Sequence, residues 1–373
     1  APTHHVTTLT GGLDVVPDFS LAEYDAQVGR APDVIVVPAI PTIQNAENAP
    51  LLTWIRQSAN PHTIVLSWCV GAETLALTGL LDGKSATTHW ADIDRLERTY
   101  PKVHWQRGVR YVDNGSIVTS AGLTSGIDAT LHVLERLKGR SVAQAVSDHF
   151  HYPSFHYADS PQAEQYTIGV SDSIYVLNGS YNWVKASYGA LLYNGVGEIE
   201  LASIFDTYSG SFVAQTLAVA RTRQVITTEH GLHLVPRWSM ADLPGVSRLL
   251  VPGANAVHQA EDSTAAWNTY SQAPIVYIHA GSLTRFAFDA PLEDLASQGN
   301  VPTAIFAAKR LEYRAPLQLN GSGWPLILIL LPLLFGLLGL AQAWGTDRWL
   351  IARRKQRQKS EKSLLRTALA PTL

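Results

Sequence analysis

From Trp324 to Trp344 the chain reads WPLILILLPLLFGLLGLAQAW, 21 residues with no charge and one amide, Gln342. At about 1.5 Å of rise per residue, a helix of that length is roughly 30 Å long, the hydrocarbon thickness of a bilayer. Tryptophans close both ends, where amphipathic rings favour the membrane–water interface. Pro332 and Gly336 are tolerated inside membrane helices. Such a stretch either crosses a membrane or forms the centre of a large core. The sequence after it favours crossing. Arg348, Arg353, Arg354, Lys355, Arg357, Lys359, Lys362 and Arg366 face only Asp347 and Glu361, a local charge of +6. The whole chain carries −3, so the part before this tail carries −9. Basic flanks stay on the cytoplasmic side. The expectation is one transmembrane helix over 324–344, a basic cytoplasmic tail over 345–373, and an extracytoplasmic body anchored in the cell membrane. The lipid bilayer is then a partner through 324–344. An acidic body argues against nucleic acid as another.

The 373 residues are 46% hydrophobic and 16% charged, which excludes disorder for most of the body. VIVVP (34–38) and TIVLS (63–67) are short continuous apolar runs, the pattern of buried parallel strands. GSIVTSAG (115–122) reads as a strand entering a glycine turn, and 72–81 and 126–138 have helical spacing. The pattern lapses near YPSFHYADSPQAEQ, and a linker is expected over 161–188. Beyond it the chain echoes itself. GLDVVPDFS (12–20) matches GLHLVPRWS (231–239), and HTIVLSWCVGAETLA (62–76) parallels APIVYIHAGSLTRFA (273–287). Two units, 1–160 and 189–318, are expected to pack as a pseudo-dimer, with a homo-oligomer as the alternative.

The second echo isolates SWCVGAE (67–73). Cys69 is the only cysteine, so no internal disulfide exists, and the second unit carries His279 and Ala280 there instead. A strand that turns sharply into a helix puts one side chain at the helix N-terminus, where free N–H groups and the dipole favour an anion. A thiol there is expected to have a lowered pKa and to act as a nucleophile. The bland reading is a small buried hydrophobe. Thr87-Thr88-His89-Trp90 reads as the end of a neighbouring strand, which would bring His89 to Cys69 as its base. Glu73, four residues after Cys69, is a candidate acid or simply a helix-stabilising residue. His149, His151 and His156 lack the cysteine or carboxylate spacing of a metal site, so no metal and no cofactor are expected.

SWCVGAETLALTGLLDGKSATTHW, followed by YVDNGSIVTSAGLTSGIDATLHVLERLKGRSVAQAV, resembles the ThiJ/PfpI superfamily. That superfamily includes the Parkinson disease protein deglycase and shares the class I glutamine amidotransferase-like fold. The motifs are most similar to those of isonitrile hydratase and of AraC-type regulator sensor domains: the Cys-x-Gly-Ala elbow, LLDG, ATTHW, and Thr124-x-Gly126-Ile127-Asp128. The resemblance covers about residues 7–160. It implies an α/β, flavodoxin-like fold, a parallel sheet with helices on both faces, here partly duplicated and followed by the membrane helix. It implies Cys69 as nucleophile and His89 as partner. Family members begin with a strand and helix bearing an acid that faces the cysteine, and the sequence as given starts after that element. In the second unit GVGEIELASIFDTY puts Glu200 in the acid's place. The family's Gly-Gly is Ala39-Ile40 here, and the threonine that follows the cysteine in isonitrile hydratases is Val70. Backbone N–H groups of Ala39 and Val70 are what remains for an oxyanion. Two functions follow as expectations: a cysteine-dependent hydrolase or lyase acting on a small electrophile, or a non-catalytic sensor or interaction module, with redox sensing through Cys69 as one form of it.

Overall fold

Runs of β-branched residues make the strands, and glycines or capping residues end the helices between them. The computed structural model describes residues 2–9 and 11–368. The first unit contains β1 (Thr7–Thr8), β2 (Asp14–Val16), α1 (Leu21–Val28), β3 (Val34–Val37), α2 (Ala49–Ser58), β4 (Ile64–Ser67) and α3 (Gly71–Thr78). It continues through β5 (Ser85–Ala86), α4 (Ile93–Thr99), β6 (His104–Trp105), β7 (Tyr111–Asp113), β8 (Ile117–Ser120), α5 (Leu123–Lys138) and α6 (Arg140–His149). Helix α7 (Ser173–Tyr181) leads to the second unit: β9 (Ala186–Leu191), α8 (Glu198–Tyr208), β10 (Ala214–Ala220), β11 (Ile226–Thr227) and β12 (His233–Leu234). There follow β13 (Trp238–Ser239), β14 (Arg248–Val251), α9 (Ala256–Gln259), α10 (Glu261–Tyr270), β15 (Ile275–Tyr277), α11 (Asp289–Gln298), α12 (Val301–Arg310) and α13 (Leu326–Ala368).

Each unit has its own sheet. The first runs β3-β4-β8-β7, parallel except for β7 at the edge. The second runs β13-β10-β9-β14-β15, all parallel. All four residues of β4, and all four of β14, are buried, which fits the apolar cores Ile64–Leu66 and Leu249–Val251 of the two strands. Strands β3 and β14 hold corresponding places, as do β4 and β15. The first unit has no counterpart of β9 and β10 among the described residues. The second passes from its elbow to α11 with no counterpart of α3 to β8.

The two echoing stretches meet in the structure. Strands β2 and β12, the GLDVVP and GLHLVP copies, pair antiparallel with Val15 opposite Leu234 and Val16 opposite His233. Val15 and Leu234 are equivalent positions of the two matching stretches, so the pairing is centred on matched residues. The flanking pairs repeat accordingly: Asp14 meets Arg237 at 2.8 Å, and the equivalent His233 meets Asp18 at 3.8 Å. One apolar core includes Leu131 and Tyr152 of the first unit together with the second unit's strands.

Two stretches differ from expectation. The segment 161–188 contains α7 and the start of β9, and residues 152–158 just before it are packed. Tyr152, Ser154 and Ala158 are buried, and the Tyr111 hydroxyl donates to the Ala158 carbonyl at 2.8 Å. Aromatic side chains anchor a segment that lacks helical or strand periodicity. The basic tail, in turn, continues the apolar helix, since α13 runs from Leu326 to Ala368 without a break at Pro332. Residues 369–373 lie outside the described part. Over Leu326–Gln358 this helix is long and apolar enough to cross a membrane, and none of its apolar window is buried.

Candidate active site

Cys69 sits at the turn from β4 into α3 with φ of +54°, a conformation non-glycine residues seldom adopt. Gly71 makes the turn possible: a Cβ there would fall 2.2 Å from the Val37 carbonyl oxygen. The Cys69 N–H donates to the Ser120 hydroxyl at 3.4 Å, and the Thr88 hydroxyl donates to the Cys69 carbonyl at 3.1 Å. The elbow expected from the sequence is therefore formed.

The thiol pKa moves in the direction opposite to the expected one. Burial pushes its pKa up to about 12, against a hydrogen bond from the Val70 N–H; Glu312 and Asp92 push it further up, and Arg310 opposes them. The helix terminus favours a thiolate, as anticipated, but the desolvation of the half-buried thiol and two carboxylates push the other way and outweigh it.

His89 is not on a strand. Strand β5 stops at Ala86, because the Thr87 N–H turns to the Thr119 hydroxyl at 2.9 Å instead of continuing the ladder. The His89 ring lies in the following turn, 3.0 Å from the Arg310 carbonyl through Nε2. The Ala91 N–H approaches its Nδ1 at 3.4 Å, and Asp92 lies 3.6 Å from the same nitrogen. Neither ring nitrogen is hydrogen-bonded to Cys69. Glu73 points elsewhere too: Arg95 binds both its oxygens, at 3.0 and 2.9 Å, and Gln44 adds a bond of 2.8 Å. Burial would raise its pKa, but these partners hold it below the ordinary value. Of the oxyanion candidates, the Val70 N–H reaches the sulfur, while Ala39 is exposed in the loop after β3 with no hydrogen bond to Cys69.

A carboxylate that reading the sequence did not single out, Glu312, is near enough to act on the thiol's pKa. It lies two residues past α12, with φ of +55°, and is buried. The Ser125 hydroxyl donates to its carboxylate at 2.5 Å at the start of α5. Gly122 leaves it room, since a Cβ there would lie 2.7 Å from the Glu312 side chain. Arg110 donates to the Glu312 carbonyl at 2.7 Å and to Asp128 at 2.6 Å; Thr124 bonds the carbonyls of Leu311 and Glu312. A peptide of the second unit is thus locked over the elbow of the first.

The exchange is reciprocal. His151, two residues past α6, has φ of +51°, the counterpart of Glu312. It lines a cavity of about 190 Å³ at the carboxyl ends of β9, β14 and β15, with His149, Glu200, Glu229, Gly253 and His279. His279 takes the cysteine's place. It is fully committed: Nδ1 accepts from the Gly253 N–H at 3.1 Å, and Nε2 lies 3.2 Å from the Ser203 hydroxyl and 3.0 Å from the Ala287 carbonyl. Burial lowers its pKa to about 4, so the ring is neutral. Glu200 is here and not beside Cys69. Burial raises its pKa, and Glu229 and Glu198 add to the rise. His156 lies against Tyr157, rings tilted by 38°, instead of joining His149 and His151. Among the described residues no three metal-ligating side chains converge.

Comparison with known proteins places the first unit. Residues 2–136 match the DJ-1/PfpI family. This unit is a DJ-1/PfpI-family domain. The isonitrile hydratase of Pseudomonas putida is 37% identical over 121 residues, 32% of this chain and 52% of that protein. The HTH-type transcriptional regulator GbdR of Pseudomonas aeruginosa is 29% identical over 143 residues, 38% of this chain and 37% of the regulator. A solved ThiJ/PfpI family protein from Pseudomonas syringae is 22% identical with a TM-score of 0.35, covering 46% of this chain and 65% of that one. The chain thus spans about a third to a half of the length of these curated relatives. The DJ-1/PfpI motifs explain why Cys69 was legible and Glu312 was not. The one signal for Glu312 and His151 was a two-residue echo, His151-Tyr152 against Glu312-Tyr313, each after a helix.

Proposed function

We propose that this chain is a membrane-anchored DJ-1/PfpI-family pseudo-dimer that works as a non-catalytic ligand sensor. The observation that carries this reading is the Arg310–Glu312 peptide over the elbow. It takes up the His89 Nε2 and sets a carboxylate against the thiol, removing the base and the thiolate that a cysteine hydrolase or lyase needs. The same raised thiol pKa argues against redox sensing through Cys69. The second unit's cavity supports the sensor reading, because open α/β sheets bind small molecules at the carboxyl ends of their strands. The pairing about Val15 and Leu234 supports a duplication. Regulators among the relatives are consistent with a sensing role for this fold. Their names also suggest DNA binding, which the body's −9 charge opposes.

The competing reading, a thiol enzyme, rests on the intact elbow. Purified chain offered an isonitrile, an aldehyde and an amide in turn should show no turnover that Cys69→Ala abolishes. Cysteine-dependent turnover of any of the three would restore the enzyme. For the anchor, α13 is read as spanning the cell membrane with the basic tail inside. A reporter fused after Leu373 should be cytoplasmic and one inserted at Asn320 extracytoplasmic; both on one side would remove the span.

A further inference from the structure

The five most exposed large apolar side chains of the body lie in one stretch: Ile168, Val170, Val176, Trp183 and Val184. Val184 is 93% and Val170 92% exposed, whereas the next in the body, Leu283, is 58% exposed. From Gln165 to Val184 the only charged residue is Asp172. It is buried and paired with Lys309 at 2.6 Å, so the stretch offers water no charge. The Trp183 Nε1 already donates to the Ser180 carbonyl at 2.7 Å, and that ring can leave water without an unpaired donor.

This stretch touches α13. The Phe335 ring stacks on Tyr181 at 6.4 Å between centroids and lies 6.0 Å from Trp183. Phe335 is nine residues beyond Leu326, about 14 Å along the helix, near the middle of a hydrocarbon layer roughly 30 Å thick. If α13 spans, whatever packs on Phe335 must share its depth or lose the contact. The rings against it are those of Tyr181 and Trp183, and the exposed stretch around them is aliphatic with the small hydroxyls of Ser171, Ser173 and Ser180, a composition an interfacial segment accepts.

We infer that the 168–184 stretch, with α7 at its centre, is sunk in the extracytoplasmic leaflet beside α13, as a second membrane contact of the body. This rests on reading α13 as a spanning anchor. It also orients the molecule. Helix α7 leads into the amino end of β9, so the carboxyl ends of the strands, with the second-unit cavity, face away from the bilayer.

The single cysteine makes the test direct. In a Cys69→Ser background of the full chain, one new cysteine is introduced by Val184→Cys, Val170→Cys, Leu333→Cys or Val225→Cys. Val225 is exposed beyond the carboxyl end of β10. Each variant is labelled with an iodoacetamide NBD dye in phosphatidylcholine–phosphatidylglycerol vesicles and quenched with acyl-chain-brominated lipid. Labels at 184 and 170 should be quenched at least half as strongly as the label at 333, and the label at 225 not at all. Quenching at 333 with none at 184 and 170 would sink the contact and leave the anchor standing. No quenching at any position would remove the anchor and the contact together. Equal quenching at 225 and 184 would show unspecific adsorption and overturn the inference.

Discussion

Iodoacetamide should alkylate Cys69 about 50-fold more slowly at pH 7.5 than it alkylates a free peptide thiol. A rise in pKa from 9.0 to about 12 lowers the thiolate fraction about 1000-fold at that pH. The more basic thiolate is the better nucleophile, with a Brønsted slope of about 0.45, which returns roughly 20-fold. The rate should keep climbing about tenfold per pH unit past pH 9, where a peptide thiol levels off. Glu312→Gln keeps a partner for Ser125 and removes the like charge, so it should speed the reaction by about 3- to 10-fold. Glu200→Gln should leave the rate unchanged, because Glu200 belongs to the other cavity. Alkylation at the peptide rate, or a response to Glu200 and none to Glu312, would show that the thiol faces a different environment.

Arg110→Met should destabilise the protein by about 3–5 kcal/mol, because removing one partner leaves a buried charge uncompensated. Arg110 and Asp128 are 2% and 0% exposed and meet at 2.6 Å. Burial raises the Asp128 pKa to about 6 even with Arg110 and Tyr152 beside it. Without the guanidinium, Asp128 must take up a proton at neutral pH or remain buried as an anion. The loss should therefore be smaller at pH 5 than at pH 7.5, read as the urea midpoint in one detergent. The double variant Arg110→Met, Asp128→Leu should recover much of the loss, as removing both charges does in other buried pairs. Because Arg110 also holds the Glu312 carbonyl, Cys69 alkylation should quicken in the single variant. A loss under 1 kcal/mol would mean that the network does not fasten the second unit's peptide to the first.

Local pattern carried much of the architecture. The strands β3, β4 and β8, the helices α3 and α5, and the elbow were readable because each is specified within about ten residues: a β-branched run, a glycine where a carbonyl approaches, a helical apolar spacing. The apolar helix was readable because a bilayer-length stretch without charge has few other fates. The GLDVVP and GLHLVP stretches, matched in sequence, lie side by side as paired strands.

What the sequence could not place depends on residues brought together from far along the chain. His89 and the Arg310 carbonyl are 221 positions apart, and Ser125 and Glu312 are 187. No periodicity links such positions. Glu312 is placed by Arg110, Thr124 and Ser125, which hold its backbone and carboxylate from the first unit. The thiol shows the same division. The sequence determined that Cys69 stands on an elbow at a helix start, where the local dipole favours an anion. The tertiary structure decided the opposing push, because partial burial and the carboxylates of Glu312 and Asp92 raise the thiol pKa against one helix terminus.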